Sequence, residues 1–273
     1  MSYFHDTYFV LIGDKYSIFR VLMSFIFLNY KDAMIMDNKS TLKEIEERFD
    51  RDVARFANLK TGQQTTLDAK FNMDIITDGI LQVYPDIHDL LDIGCGAGNY
   101  PVNLLMKANS NANVTLIDLS KPMLSKARER IEKLTSGEIR EIKGDFRSAN
   151  LKEYSFDVII ATAVLHHLRD DADWESAFST CYKWLKPGGS IWIFDLVTHN
   201  QARMQELIYT IKYGEYLTDL KDEAYRDHVF AYIEKEDSPR SVEFQLDLLR
   251  KVGFSSVDIL HKHLCFASFV AFK

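Results

Sequence analysis

The chain has 273 residues, of which 47% are hydrophobic, and carries a formal net charge of −7 at pH 7. That length and apolar content suffice for one large α/β domain or two smaller ones. The acidic balance argues against a nucleic-acid partner, because such proteins need a basic surface to neutralise phosphates. Three widely spaced cysteines without a CxxC pair, Cys95, Cys181 and Cys265, indicate reduced thiols in a cytoplasmic protein.

Residues 1–36 depart from the pattern of the rest of the chain, and we interpret them as an N-terminal extension of uncertain order. In YSIFRVLMSFIFLNY, Arg20 and Lys31 bracket an uncharged run of only ten residues. A membrane span needs about 20 apolar residues, so a membrane anchor is disfavoured, and no signal-peptide cleavage site follows. The alternatives are a helix that packs on the domain, or translation from Met34 or Met36.

Residues 37–84 are predicted to form N-terminal helices that cap the domain. The first lies in STLKEIEERFDRDVARFANL, where Ser40 or Thr41 can serve as N-cap. Its apolar residues recur near helical spacing at Leu42, Ile45, Phe49, Val53 and Phe56. The second lies in TTLDAKFNMDIITDGILQVY and ends before Pro85.

Residues 85–273 alternate strand-like and helix-like segments, which predicts an α/β domain with a doubly wound, mostly parallel sheet. The strand-like runs are DLLDIG, NVTLIDL, EIREIKG, FDVIIATA and SIWIFDLV. Near the carboxyl end, SSVDILHKHLCFASFVAFK holds two further runs with almost no spacer. Parallel strands need a long crossover, so these two runs must be antiparallel neighbours.

A glycine-rich turn, LLDIGCGAGNY, follows the first of these strands. Open α/β sheets bind ligands at the carboxyl ends of their strands, and glycines let the backbone approach a ligand closely. A dinucleotide fingerprint, G-x-G-x-x-G, would have its third glycine at position 99, which is Asn99. The acid and the glycines present are Asp92, Gly94, Gly96 and Gly98. The spacing therefore departs from the dinucleotide pattern.

Two further acids follow the next two strands. Asp118 ends the NVTLID run 20 residues after Gly98, where a carboxylate can accept hydrogen bonds from both hydroxyls of a ribose. Asp145 follows the third run, where it can bond an adenine amine while Phe146 covers the ring. Each acid alone is also typical of a helix start or an ordinary turn. Together with the glycine turn, in order on three strand ends, they predict an adenosine ligand.

These segments together resemble the class I S-adenosylmethionine-dependent methyltransferases. The segments that carry the resemblance are LLDIGCGAG, LIDLSKPML, GDF, FDVIIATAVLHHL, LKPGGSIWI and, before the terminal hairpin, LDLLRKVGF. They cover residues 85–195 closely and 240–273 more loosely. The resemblance implies a seven-stranded Rossmann-like sheet with an antiparallel last strand and a helical cap. It also implies S-adenosylmethionine as cofactor, with S-adenosylhomocysteine as product.

The resemblance further implies where the cofactor binds. Gly94 and Gly96 would approach its methionine part, Asp118 its ribose, and Asp145 its adenine. The residues expected to bind the cofactor are Asp92, Gly94, Cys95, Gly96, Gly98, Asp118, Leu119, Met123, Asp145, Phe146 and Ala163.

The acceptor is predicted to be a small molecule with an oxygen, nitrogen or carbon nucleophile. The chain lacks the Asn-Pro-Pro-Tyr motif of enzymes that methylate amines of DNA bases, the Pro-Cys dipeptide of cytosine-C5 enzymes, and a paired-glutamate loop of the protein-arginine kind. His166 and His167 follow the fourth strand and are the candidate catalytic bases. The alternative is that both histidines pack the turn and bond to backbone.

No metal is expected in this protein. The acidic run RDDAD, residues 169–173, suits the first turn of a helix, where the helix dipole favours carboxylates. Asp195 and Asn200 after the fifth strand would need an earlier partner to hold magnesium, and the sequence does not offer one.

Residues 198–239 are predicted to form a helical lid inserted after the fifth strand. If residues 201–220 are helical, one stripe is Met204, Leu207, Ile208 and Ile211, and the opposite stripe is Tyr209, Tyr213, Tyr216 and Leu220. We expect the first stripe to pack on the domain and the tyrosines to contact the acceptor. Contact with a second subunit of a homodimer, or plain packing, are the alternatives.

The sequence thus predicts a cytoplasmic S-adenosylmethionine-dependent methyltransferase that acts on a small molecule and has neither nucleic-acid nor membrane partners. Two alternatives stay open. A carboxy-S-adenosylmethionine synthase or related tRNA-modification enzyme shares the fold, although no arginine is clearly assigned to the extra carboxylate. A non-catalytic module that binds the cofactor and acts through partner contacts would show no turnover.

Overall fold

The structure is a computed structural model, and it describes residues 39–58, 62–108 and 111–273. The predicted extension, residues 1–36, lies outside the described residues, and its interpretation stays a prediction. Residues Ser40 to Lys273 form one structural unit. Within the part of the chain that is described, no helix is long and apolar enough to cross a membrane.

Seven strands form one sheet in the order β3-β2-β1-β4-β5-β7-β6. They are β1 (Asp89–Ile93), β2 (Asn113–Asp118), β3 (Ile139–Lys143), β4 (Phe156–Thr162), β5 (Leu185–Leu196), β6 (Ser256–His263) and β7 (Phe266–Phe272). Strands β1 to β5 pair in parallel, whereas β7 pairs antiparallel with β5 on one side and β6 on the other. The predicted doubly wound sheet with an antiparallel last strand is confirmed.

Helices cover both faces of the sheet. They are α1 (Leu42–Arg51), α2 (Val53–Ala57), α3 (Ala69–Val83), α4 (Asn99–Lys107), α5 (Lys121–Ile131), α6 (Asp171–Trp184), α7 (Ala202–Gln205), α8 (Gly214–Leu220), α9 (Glu223–Glu236) and α10 (Val242–Val252). A π-helical segment, Glu206–Tyr213, joins α7 to α8. Neighbouring strand residues face opposite sides, so Leu90 belongs to one buried layer and Leu91 to the other.

The first predicted helix is divided into α1 and α2. Thr41 caps α1 through a capping box, in which its hydroxyl accepts from the backbone N–H of Glu44 at 3.3 Å. The prediction of one continuous helix is wrong at Asp52, which ends α1 and precedes α2. Aspartate competes for backbone hydrogen bonds and is a weak helix former. After the break, the Phe49 and Phe56 rings contact each other with centroids 5.4 Å apart.

Helix α7, the π-helical segment and α8 run together as one helical stretch, residues 202–220, which we call the lid helix. It packs on the domain with the opposite face from the one predicted. Tyr213 is 1% exposed and lies against Phe266 of β7, whereas Met204 and Ile211 of the other stripe are each 43% exposed. The tyrosine rings bury large apolar surfaces while their hydroxyls reach polar partners. Tyr213 Oη donates to the backbone carbonyl of Thr65 at 2.8 Å. The prediction that the Met204 stripe packs on the domain is therefore wrong.

Candidate active site

Three adjoining cavities lie at the carboxyl ends of the parallel strands. The slot measures about 60 Å³ and is bounded by Phe146 and Leu168. The loop cavity measures about 160 Å³ and lies on the glycine turn. The lid cavity measures about 350 Å³ and is bounded by Tyr213 and Tyr232 of the lid. The slot and the loop cavity share Asp118 as a wall, and the loop and lid cavities share Ala163.

Helices α1 and α2 form a roof over these cavities. Ile45 lines the slot and the loop cavity, and Phe49 and Phe56 line the loop and lid cavities. Asp50 Oδ1 accepts from Ser120 Oγ at 2.6 Å, which attaches the roof to the start of α5. These helices were predicted to form a cap, but their part in the site was not predicted. Phe49 and Phe56 are seven residues apart, which is about two helical turns, and this spacing is the sequence feature that could have predicted a shared apolar face over the site.

The glycine turn follows β1 and adopts backbone conformations that residues with a Cβ rarely adopt. Gly94 and Gly96 have φ of +64° and +48°, the left-handed region. A Cβ at Gly94 would lie 2.5 Å from Val164 Cγ2, whereas a Cβ at Gly96 would meet nothing within 4 Å. Gly96 therefore leaves open space in the loop cavity. Gly98 lines none of the three cavities; a Cβ there would lie 2.9 Å from Ala127, which favours a role in packing α4 against α5.

Asp118 lies at the end of β2 with its carboxylate between two backbone donors. Its Oδ2 accepts from the N–H of Gly96 and its Oδ1 from the N–H of Ser120, both at 2.8 Å. Burial raises the pKa of Asp118 to about 6, although both of these hydrogen bonds act to lower it. An ionised carboxylate has about four acceptor positions, so two remain for a ligand.

Asp92 lies two residues before Gly94 and is only 2% exposed. Its Oδ1 has no hydrogen-bond partner among the described residues. Burial, with a contribution from the nearby Asp118, raises the pKa of Asp92 well above its ordinary value. A buried acceptor without a partner is destabilising. Asp92 lines none of the three cavities, so its contact with the cofactor stays a prediction.

Asp145 and Phe146 line the slot, as does Leu119. The Asp145 carboxylate is already paired with Arg147, whose Nε lies 2.9 Å from Oδ2. An adenine amine would therefore have to share this carboxylate with Arg147. Cys95, Leu119 and Met123 line the loop cavity.

Ala163, which follows β4, is held in a strained conformation. Its φ is +52°, a region that residues with a Cβ adopt rarely and at a cost in energy. Its N–H donates to the carbonyl of Phe194 at 2.7 Å, which helps to fix the turn. The strained residue thus lies between the loop cavity and the lid cavity, where a ligand would contact its backbone.

His166 is 8% exposed and lies between two buried carboxylates. Its Nδ1 is paired with Asp195 Oδ1, and its Nε2 lies 3.7 Å from Asp237 Oδ1. Its backbone N–H also donates to Asp195 Oδ2 at 3.0 Å. Burial opposes the charge, but Asp195 and Asp237 outweigh it and raise the pKa of His166 to about 9. His166 is therefore a charged, firmly held group at neutral pH.

His167 differs from its neighbour, because it lines the slot, the loop cavity and the lid cavity. Its Nδ1 lies 3.2 Å from Asp237 Oδ1, at an angle that makes no hydrogen bond. The ring packs edge-on to Phe49, with centroids 6.4 Å apart. Asp237, which was not among the predicted site residues, thus lies beside both histidines.

The lid cavity is lined by both charged and aromatic side chains. Arg48 is held by Glu236, with its Nη2 at 2.6 Å from Oε2, and it donates to Tyr232 Oη at 2.8 Å. Arg55 pairs with Asp52 at 2.7 Å. Further lining comes from Tyr225, His228 and Phe194. A polar molecule would find both donors and acceptors here.

The three lid tyrosines occupy different surroundings. Tyr213 lines the lid cavity, whereas Tyr209 borders a separate pocket and Tyr216 borders an open outer pocket. Their predicted contact with the acceptor thus stays a prediction, and the geometry favours it most for Tyr213. The run RDDAD begins α6 as predicted, with Asp170 accepting from the N–H of Asp173 at 2.8 Å.

Comparison with known proteins identifies the central part of the chain. Residues 90–189 match the family model of a methyltransferase domain. Phosphoethanolamine N-methyltransferase 1 of Arabidopsis thaliana is 33% identical over 168 residues, which are 60% of this chain and 32% of that protein. Carboxy-S-adenosyl-L-methionine synthase of Campylobacter lari is 24% identical over 242 residues, 84% of this chain and 96% of that protein.

A solved structure supports the same fold. Phosphoethanolamine N-methyltransferase 2 of Haemonchus contortus, in complex with phosphomonomethylethanolamine and S-adenosylhomocysteine, superposes with a TM-score of 0.53 at 17% identity. The match covers 75% of this chain and 53% of that one. This chain spans about a third of its Arabidopsis relative. The sheet order, the glycine turn and the matched segment agree, and residues 90–189 form a methyltransferase domain of the class I S-adenosylmethionine-dependent type.

Proposed function

We propose that this chain transfers a methyl group from S-adenosylmethionine to a small polar acceptor in the lid cavity. The observation that carries the proposal is the position of His167. It lines the lid cavity and both cavities that adjoin the glycine turn, so one imidazole borders both the expected cofactor site and the expected acceptor site.

The residues around the glycine turn fit this cofactor. Asp118 has two acceptor positions for ribose hydroxyls, and the open space at Gly96 admits the backbone approach that the methionine part requires. Bound S-adenosylmethionine supplies an electrophilic methyl group on a sulfonium centre. The chain's own residues then have to position the nucleophile and accept its proton.

We assign the base to His167 and a positioning role to His166. His166 is held in its charged form between Asp195 and Asp237, which makes it a poor proton acceptor at neutral pH. His167 can take a proton from an oxygen or nitrogen nucleophile, and Asp237 Oδ1 at 3.2 Å would stabilise the resulting imidazolium. Alignment of nucleophile and methyl group supplies the rest of the acceleration.

An amine is the acceptor that we favour. The lid cavity holds the carboxylate of Asp237 beside aromatic rings, surroundings that can attract a protonated amine. The name of the Arabidopsis relative, a phosphoethanolamine N-methyltransferase, supports this nucleophile. The two arginines, Arg48 and Arg55, would suit an anionic group elsewhere on the same acceptor.

A second candidate is a carboxy-S-adenosylmethionine synthase. The relative from Campylobacter lari matches over most of both chains, and that breadth favours this alternative. The discriminating measurement is the mass of the cofactor that remains bound through purification. A carboxylated cofactor would favour the synthase, and unmodified S-adenosylmethionine or its homocysteine product would favour methyl transfer.

The test of the proposal is production of S-adenosylhomocysteine from S-adenosylmethionine with a panel of small amines, including ethanolamine and phosphoethanolamine. His167→Ala should lower turnover by about 10²–10⁴, the contribution typical of a general base, while cofactor affinity by calorimetry stays within about twofold. His88→Gln, at an exposed histidine outside the three cavities, is the matched control and should change neither quantity.

Two results would contradict the assignment. An equal loss of cofactor affinity and turnover in His167→Ala would mean that this histidine only supports the fold. Cofactor binding without product formation from any acceptor would favour the non-catalytic module.

A further inference from the structure

A second cluster of ligating side chains lies apart from the transfer site. We propose that Asp68, His261 and His263 form a binding site for a divalent transition-metal ion such as Zn²⁺. None of the three lines the slot, the loop cavity or the lid cavity. Their ligand atoms lie within 4.8 Å of one another. We call this cluster the Asp68 site.

Two imidazoles converge on one carboxylate oxygen. His261 Nε2 lies 2.8 Å and His263 Nδ1 lies 2.7 Å from the same atom, Asp68 Oδ2. The two histidines are two residues apart on β6, so their side chains leave the same face of the strand. The ring of His261 is also packed edge-on against Phe71, with centroids 4.8 Å apart, which restricts its orientation.

The backbone holds Asp68 in an unusual position for this purpose. Asp68 is the N-cap of α3, yet its side chain makes no capping hydrogen bond. Its φ of +53° and ψ of 28° place it in the left-handed region, which a residue with a Cβ adopts at a cost in energy. An N-cap aspartate ordinarily accepts from the helix backbone. Here the carboxylate is directed at the two histidines instead.

The donor set suits a borderline-soft cation. Two imidazole nitrogens and one carboxylate oxygen are ligands of Zn²⁺ and its neighbours in the transition series, whereas Mg²⁺ prefers oxygen ligands alone. The site is partly exposed, so water can complete a tetrahedral shell. Zinc-to-ligand distances of about 2.0–2.2 Å place tetrahedral ligand atoms roughly 3.3–3.5 Å apart.

The observed separations can reach that spacing with small movements. The two nitrogens would each have to withdraw from the oxygen by about 0.6 Å, and an exposed aspartate and a partly exposed strand edge allow such a shift. Each ring nitrogen now donates its N–H to the carboxylate. When an ion binds, that proton moves to the other nitrogen of the same ring, so the imidazole stays neutral and offers a lone pair.

The position of the site connects it with the lid cavity. Asp68 ends the segment that contributes Gly62, Thr65 and Thr66 to the cavity wall. The same segment accepts the hydroxyl hydrogen bond of Tyr213 at the carbonyl of Thr65. An ion held between Asp68 and β6 would therefore fix this wall to the sheet edge and stabilise the fold around the cavity.

The experiment uses the full chain without a histidine tag. Calorimetric titration with Zn²⁺ should show one equivalent bound by the wild type and by His88→Gln. In the His261→Gln/His263→Gln double variant this equivalent should be lost. Zn²⁺ should raise the thermal midpoint of the wild type by several degrees, and the double variant should lack that rise. Circular dichroism without metal establishes that the variant is folded, and Asp68→Asn serves as a second variant if it is not.

Two results would contradict the proposal. His166, His167 and Asp237 form another group whose ligand atoms converge. If the double variant and Asp68→Asn bind Zn²⁺ as the wild type does, while His167→Gln does not, the ion occupies that buried group. If the wild type binds no Zn²⁺, the Asp68 site is only a hydrogen-bonded cluster. Neither result would bear on methyl transfer, which is measured separately.

Discussion

The carboxylate of Asp118 accepts hydrogen bonds from the protein backbone and is proposed to accept further ones from the cofactor. Its two oxygens already accept from Gly96 and Ser120, and burial raises its pKa to about 6. We expect Asp118→Ala to weaken S-adenosylmethionine binding about tenfold to a hundredfold, since hydrogen bonds to a charged group contribute roughly 1.5–3 kcal/mol. Calorimetry at pH 7.5 measures this loss.

The raised pKa gives the same prediction a pH signature. Protonation removes acceptor capacity from the carboxylate, so wild-type affinity should fall as the pH is lowered through about 6. Asp118→Asn should bind weakly with a flatter pH dependence, and Asp86→Asn, at an exposed acid outside the cavities, should behave as wild type. Retention of wild-type affinity in Asp118→Ala would remove the ribose assignment.

Single residues of the site differed in how far the sequence could predict them. Gly94, Gly96 and Asp118 follow strands directly, so their place at the sheet edge follows from topology alone. The sequence could not separate His166 from His167, because the difference depends on which ring lies between Asp195 and Asp237. Asp237 comes from the end of the lid, and no spacing rule connects it with the histidines.

At the scale of elements, the lid helix shows that sequence periodicity can identify apolar faces without showing which face packs on the domain. The pattern identified two apolar faces but not which one packs, because both carry large side chains. The tyrosine face packs since Tyr213 can bury its ring and still reach the carbonyl of Thr65. The Met204 face stays exposed. The break at Asp52 was missed for a similar reason, because helical spacing continues across it.

We therefore expect a large effect on stability from one alanine substitution on this helix and a small effect from another. Tyr213→Ala should lower the free energy of unfolding by about 3–5 kcal/mol, as for other large buried aromatic side chains, because it leaves a cavity beside Phe266. Ile211→Ala, on the exposed face, should change it by no more than about 0.5 kcal/mol. Urea unfolding of both variants makes the comparison.

The comparison also bears on a second subunit. If Ile211→Ala destabilised the protein as much as Tyr213→Ala, and light scattering showed a lower mass, the Met204 face would be covered by another copy. Similar small effects from both variants would mean that the helix does not pack as described.

At the scale of the whole molecule, the paired His166 couples stability to pH. Its folded-state pKa of about 9 lies above its ordinary value of 6.5, so the folded protein holds this proton more tightly than the unfolded chain. The resulting stabilisation is fully present below pH 6.5 and is lost as the pH rises through 9. A difference of this size corresponds to about 3 kcal/mol. Urea unfolding at pH 6, 7.5 and 9.5 should show this decline.

His166→Asn is the variant that isolates this effect, because asparagine keeps a polar contact with Asp195 but does not titrate. Its unfolding free energy should be lower than that of the wild type at pH 6 and should approach it at pH 9.5. A wild-type decline that persists undiminished in His166→Asn would assign the pH dependence to other groups.

The overall fold was more predictable than the site. Parallel pairing follows from the alternation of strand-like and helix-like segments, and antiparallel pairing of β6 and β7 follows from the short link between them. Both features can be seen in short stretches of the sequence. The cavities depend on contacts between distant parts of the chain, such as Phe49 and His167, or Tyr213 and Thr65. The matched domain ends at residue 189, before the lid that supplies much of the acceptor cavity.

The place of β7 in the sheet has a consequence for how the protein is made. Residues 266–272 pair with β5 on one side and β6 on the other, so a late part of the chain fills an interior position. Until the ribosome has delivered these residues, β5 presents an unpaired edge that can recruit a strand from another nascent chain. The seven-stranded sheet can be completed only after residue 272 has been synthesised. Its completion needs contacts between segments that are distant in the sequence, and such contacts form slowly. Pairing between nascent chains through this edge would therefore compete with correct folding during synthesis.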